Sequence, residues 1–155
     1  MIIRGISFLL DNGYNQYLWK IFQFCDLLNY TWYISQDEIL YFDFEKQKVC
    51  SDFFTQKILT GREFKDQILK NQYYIYLANI QAYPLGEKKD NIITYNDFEK
   101  SKCEIIFLCC DGRYVDLYSK DKQYLEKVFD MCKKSNLTFV EYITDKNDKR
   151  REMRI

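Results

Sequence analysis

With 155 residues, 47% of them apolar and 30% charged, the chain is long enough to bury roughly 70% of its unfolded surface around one core and too apolar to be disordered. Lys plus Arg and Asp plus Glu both number 23, so a net charge of zero supplies no long-range pull toward nucleic acid or an anionic membrane. Histidine is absent, which removes Ser-His-Asp and Cys-His catalysis, imidazole acid–base chemistry and His-based zinc sites together.

Residues 2–10 read as an opening strand with Ile6, Phe8 and Leu10 on one face. Asp11-Asn12-Gly13 is a turn and helix-start signal, and a helix is predicted from there to about Asn29. Its apolar stripe is Leu18, Ile21, Phe22, Cys25 and Leu28. Residues 30–35 and 39–44 alternate, and the polar Gln36-Asp37-Glu38 between them predicts a hairpin. Residues 51–70 read as two short helices, with Gly61 as the C-cap of the first and Thr60–Glu63 as a capping box opening the second. Residues 73–83 are apolar on both faces and suggest a central strand. A loop follows at 84–90, with the only proline, and Thr94 is placed to cap a helical turn around Asp97 and Phe98.

The strongest local signal lies at 104–118, where two strand-like runs flank Asp111-Gly112, the pair that a type I′ hairpin asks for. A two-residue turn would pair 108 with 115 and 106 with 117. That register puts the aliphatic Ile106, Leu108, Val115 and Leu117 on one face, as core. It puts Ile105, Phe107, Cys109, Tyr114, Asp116 and Tyr118 on the other. A helix at 121–134 and a strand at 137–144 complete the reading, and residues 145–155 form a charged tail expected to fray. The expected architecture is α+β: a single domain over 1–144, with a mixed, mainly antiparallel sheet of about six to seven strands and packed helices.

Chemistry-bearing motifs are sparse. There is no GxxxxGK[ST] and no GxGxxG, and five scattered glycines build no phosphate cradle. The six cysteines contain no CxxC and fit no zinc spacing. Cys109-Cys110 is the one unusual pair, but adjacent strand residues point to opposite faces, so two small apolar residues is the simpler reading. Asp145-Lys146-Asn147-Asp148 lacks the glycine and closing glutamate of a calcium loop. Lys149, Arg150, Arg151 and Arg154 make a small basic end, read as solvated. No catalytic residue, metal or cofactor is expected.

The second face of the 104–118 hairpin carries the functional expectation. A covering helix would make its aromatics core. Left open, Phe107, Tyr114, Asp116 and Tyr118 are a candidate contact face for a protein partner, because tyrosine buries area while keeping a hydrogen-bonding tip. The same aromatics could stack RNA bases, but Asp116 among them repels phosphate and surplus positive charge is missing.

Several stretches taken as a set resemble a known family. They are Arg4-Gly5-Ile6-Ser7-Phe8, then Ala82-Tyr83-Pro84 with Gly86, then Thr94-Tyr95 with Asp97-Phe98. Cys103-Glu104, Tyr114-Val115 with Tyr118, and Lys120-Asp121 follow. Glu141-Tyr142-Ile143-Thr144-Asp145 with Asn147-Asp148 closes the set. The pattern is similar to the short bacterial proteins grouped as domain of unknown function 2691, over nearly the whole chain. The resemblance implies a stand-alone bacterial protein of this size and carries over no activity, cofactor or site residue.

The expected function is a non-catalytic protein-binding module of regulatory or immunity type. A histidine-independent enzyme using groups such as Asp116 or Cys109 is the alternative, and single-stranded RNA binding a weaker one. A cytoplasmic location is expected, because no secretory signal opens the chain and no segment approaches 18 consecutive apolar residues. No membrane association is expected.

Overall fold

The alternations and apolar stripes resolve into eight strands and four helices in a computed structural model that describes residues 1–155. In chain order they are β1 (Ile3–Leu9), α1 (Tyr17–Phe22), β2 (Tyr30–Asp43), β3 (Lys48–Cys50), β4 (Ile58–Thr60) and α2 (Gly61–Lys70). Then come β5 (Tyr73–Pro84), α3 (Tyr95–Lys100), β6 (Ile105–Cys110), β7 (Tyr114–Ser119), α4 (Lys122–Lys134) and β8 (Thr138–Thr144). One sheet runs β3-β2-β5-β6-β7-β1-β8, with β4 paired to β2 on the same side as β3. Every pairing is antiparallel, and the fold is α+β. No helix is long and apolar enough to cross a membrane.

The strand apolar on both faces, β5, has neighbours on both sides, because a run like this must be covered above and below. The helices α1, α2 and α4 lie on one face of the sheet. Beneath them a continuous cluster of 32 buried residues forms the main core. Its centre is aromatic: Trp32 stacks on Phe64 with ring centroids 4.0 Å apart, and Phe22 meets Trp32, Phe64 and Phe107 edge-on at 4.8, 5.6 and 5.8 Å. Each such ring contributes about 1.5–3 kcal/mol by leaving water.

The opposite face carries a second cluster of nine residues, among them Tyr83, Ile106, Leu108, Tyr118 and Met153. No long helix covers it. Its cover is the segment 85–104, which includes the six-residue α3, together with residues 145–155. The charged tail therefore folds back rather than fraying: Met153 is buried and its N–H donates to the Ile93 carbonyl at 2.6 Å.

Three local expectations are corrected. Residues 30–43 form one 14-residue strand, not a hairpin, and Phe44 already lies in the turn that follows. The polar Gln36-Asp37-Glu38 pairs with Asn79, Ala78 and Leu77 of β5, and register shifts stand on either side of it. The first shift adds Ser35 to β2 and the second adds Tyr76 to β5, so the two bulges cancel and the strand continues.

The helix expected to reach Asn29 stops at Phe22, and a 3₁₀ turn at Leu27–Asn29 follows. Leu27 is buried there in place of Leu28. Gly61 begins α2 instead of ending an earlier helix. A Cβ at this position would stand 2.5 Å from Leu28 Cα and 2.6 Å from the Leu27 carbonyl oxygen, so only glycine lets the helix start against that turn. The Thr60–Glu63 and Thr94–Asp97 capping boxes both form.

Candidate functional site

The 104–118 hairpin forms with Asp111 and Gly112 both at positive φ, 53° and 71°, as a type I′ turn requires. Its ladder is nevertheless one residue out of the expected register. Cys110 pairs with Tyr114, Leu108 with Asp116 and Ile106 with Tyr118. The extra residue is Arg113, whose N–H closes the turn onto the Cys110 carbonyl at 3.2 Å. Its own carbonyl accepts from Leu10 N–H at 2.8 Å, beyond β1.

A one-residue slip exchanges every partner across the pleat. Phe107 therefore faces the main core with Ile105, Cys109, Val115 and Leu117, while Ile106 and Leu108 share the second face with Tyr118. The four candidate contact residues separate accordingly. Phe107 and Tyr118 are fully buried on opposite faces, Asp116 is half-buried, and only Tyr114, 54% exposed, meets solvent freely.

On the second face the polar residues are engaged with the returning C-terminal segment. Asp148, with a side chain only 3% exposed, accepts from Arg4 Nη1 at 3.1 Å, the Tyr118 hydroxyl at 3.0 Å and the Arg150 backbone N–H at 3.1 Å. Arg4 also lies over the Tyr95 ring, 4.1 Å from its centroid, so one guanidinium joins β1, α3 and the tail. Burial first, then the Asp148 charge, pushes the Tyr118 hydroxyl far above the usual tyrosine range, so it stays a donor. Arg150 holds Asp116 through Nε at 2.9 Å and Nη2 at 2.8 Å. Of the basic end, Arg150 is thus tied to Asp116 and Arg154 to Glu152 at 2.7 Å, whereas Lys149 and Arg151 remain exposed.

Three of the six thiols are buried. All six cysteines are free, and burial pushes Cys25, Cys103, Cys109 and Cys132 up to about 12. Cys110 is raised as well, by burial and then by Asp111. A thiol nucleophile needs the opposite shift, because the thiolate is the reactive form.

Past the edge of this cover, the second face continues open at the other end of the sheet. Val49 lies opposite Phe42 across β3 and β2, and Leu40 lies opposite Tyr74 across β2 and β5. Tyr41 and Tyr73, one residue along, belong to the main core, so the former set points the other way. The Tyr74 side chain reaches Gly112, whose N–H donates to the Tyr76 carbonyl at 2.9 Å, and Tyr114 follows directly on that turn.

Along this row Phe44 is 79% exposed, Val49 54%, Tyr76 44% and Phe42 38%. Phe42 and Phe44 pack edge-on with centroids 4.9 Å apart, and both also border a hollow of about 270 Å³ that is shared with Tyr41 and with Lys70 and Asn71 at the end of α2, on the helical side of the sheet. Of the expected contact residues this surface keeps Tyr114. It adds Phe42 and Phe44, which the hairpin reading of 30–44 assigned to ordinary strand alternation, Tyr74 and Tyr76 from the central strand expected at 73–83, and Val49, to which the sequence reading gave no role. The available signal was the polar run Glu45-Lys46-Gln47-Lys48 between Phe44 and Val49, which marks a turn at the end of the sheet.

No solved structure matches this chain. Among curated proteins it is 33% identical over 153 residues to the Uncharacterized protein YncE of Bacillus subtilis (strain 168), covering 98% of this chain and 99% of that one. The family model described as Protein of unknown function (DUF2691) matches residues 3–154. On a family match of that extent, together with the full-length relative, the chain belongs to the DUF2691 family.

Proposed function

We propose that this protein is a non-catalytic protein-binding module, of regulatory or immunity type, and that the open aromatic end of its second sheet face is the contact surface. The carrying observation is the set Val49, Phe42, Phe44, Tyr76 and Tyr114, left in solvent around the half-buried Tyr74 while Ile106, Leu108 and Tyr118 on the same face are covered. Exposed contiguous apolar surface on a monomer marks an interaction site, and aromatic residues beside a hollow are what interface anchors are made of. The charged groups around it, Asp43, Glu45, Lys46, Lys48, Lys70 and Arg113, have both signs and suit a polar rim.

The groups an enzyme reading would use are otherwise engaged. Asp116 is ion-paired with Arg150, and Cys109 is buried with its thiol held protonated. An RNA platform on the hairpin would need Phe107 and Tyr118, and both are buried. Six free cysteines suit a cytoplasmic site of action, where thiols stay reduced.

The test is affinity capture from the native cell lysate with the wild-type protein and with the double variant Phe44→Ser/Tyr114→Ser. One protein species should be retained by the wild type, bind it again after purification, and be lost with the double variant. Equal retention by both, or no stoichiometric species with the wild type, contradicts the proposal.

A further inference from the structure

The covered part of the second face contains a polar cavity that the protein-contact reading does not use. It measures about 230 Å³ and lies between the β2–β5 pair and the segment 89–92. Its floor is Asn79, 5% exposed, and Gln81, 3% exposed, at alternate positions of the central strand β5. Neutral polar side chains on the inside of a sheet are costly unless hydrogen-bonded. Asn79 Oδ1 is nevertheless buried without a protein partner, and so is Ser35 Oγ across the strand pair.

The first bulge explains how these groups meet. Ser35 is the extra residue of β2 between Ile34, opposite Ile80, and Gln36, opposite Asn79. Two polar β2 residues therefore line the cavity against the single Asn79. The bulge spends a ladder position on this arrangement and is undone one turn of pleat later by the second, at Tyr76.

The donor and acceptor inventory defines the ligand class. The Tyr83 hydroxyl donates to Gln81 Oε1 at 2.9 Å, which leaves Gln81 Nε2 as a donor toward the cavity. Asn79 adds an acceptor and a donor, and the Ser35 hydroxyl serves as either. The rim carries both signs: Lys89 stands beside Asp90, whose Oδ2 accepts from the Lys102 N–H at 3.1 Å, and Arg154 is held by Glu152 at 2.7 Å. No aromatic ring lines the cavity, so nothing would stack a flat base. Its volume lies below the about 300 Å³ at which drug-sized sites begin.

We infer that the Ser35–Asn79–Gln81 cavity is a binding site for a small uncharged polyol or monosaccharide, whose hydroxyls each both donate and accept. This site is separate from the aromatic end, so its failure and the failure of the contact reading are independent. The experiment is an NMR titration of the ¹⁵N-labelled full chain with glycerol, D-ribose and D-glucose, with inorganic phosphate and acetate alongside. The side-chain amide signals of Asn79 and Gln81 should shift saturably with at least one neutral probe.

Asn79→Leu, which removes an unpartnered buried polar group and should still fold, should raise the apparent Kd at least about tenfold. Ser35→Ala replaces it if Asn79→Leu does not fold. The inference is overturned if no neutral probe shifts these signals up to about 50 mM, well above a millimolar Kd. It is overturned equally if phosphate or acetate shifts them more, or if the variant keeps the wild-type Kd.

Discussion

The two faces of one sheet are closed by different physics. The helical face is closed by volume: Trp32, Phe64, Phe22 and Phe107 interlock under α1, α2 and α4 within a cluster of 32 buried residues. The second face has a cluster of nine, and much of its closure is a knot of charge-assisted hydrogen bonds around Asp148. Packing of the first kind tolerates no gap, whereas a cover of the second kind can stop partway along a sheet. That is why only the second face offers both an open aromatic end and a polar cavity.

Removing volume from the helical face should have the largest effect. Trp32→Ala deletes the ring stacked on Phe64 and leaves a cavity, so global stability in urea should fall by about 3–5 kcal/mol. A loss below about 1 kcal/mol would mean that this core is not close-packed. Cutting the knot comes next. Asp148→Ala strands the Arg4 guanidinium and the Tyr118 hydroxyl, and about 3 kcal/mol should be lost. Hydrogen exchange should speed up first in 85–104 and 145–155, with the helical face still protected. Uniform loss of protection would erase the distinction between the faces.

A smaller effect is expected at the lid of the second cluster. Met153→Ala should cost about 2 kcal/mol and act on the same segments, again read by hydrogen exchange. Smallest is the pH response of α3. The Asp97 carboxyl is held below the usual carboxylate range by backbone N–H groups of Thr94 and Ile93. A lowered folded-state pKa contributes stability above the unfolded value that is lost as pH falls through the folded one. Amide protection in 93–100 should therefore weaken below about pH 4, and Asp97→Asn should flatten that dependence. Protection that strengthens on acidification would contradict the capping box.

What was legible in the sequence follows the strength of the pattern. The capping boxes at Thr60 and Thr94, the helix at 121–134 and the two-sided apolar run of β5 each have one physical meaning and appear as expected. The candidate face was misread because β6 is apolar at every position, so its sequence says nothing about which face is which. Only β7 carries alternation, with Val115 and Leu117 against Tyr114, Asp116 and Tyr118. The bulge at Arg113 decides how the two strands align. Likewise Gln36-Asp37-Glu38 looks like a turn, but paired bulges, which local composition does not encode, carry the strand through it, with Gln36 and Glu38 exposed and Asp37 tied to Lys57. The knot around Asp148 joins residues as far apart as Arg4 and Asp148, a separation that no local pattern spans.

The central claim is that the open end of the second face, and no other surface, meets a partner. Hydroxyl-radical footprinting of the purified protein, alone and saturated with the protein it captures, tests this residue by residue. The account predicts that Phe42, Phe44, Tyr76 and Tyr114 are oxidised in the free chain and shielded in the complex, while the equally exposed Phe139 on β8 stays reactive in both. Shielding centred on Phe139 or on the helical face, with Phe44 and Tyr114 still oxidised, would contradict it.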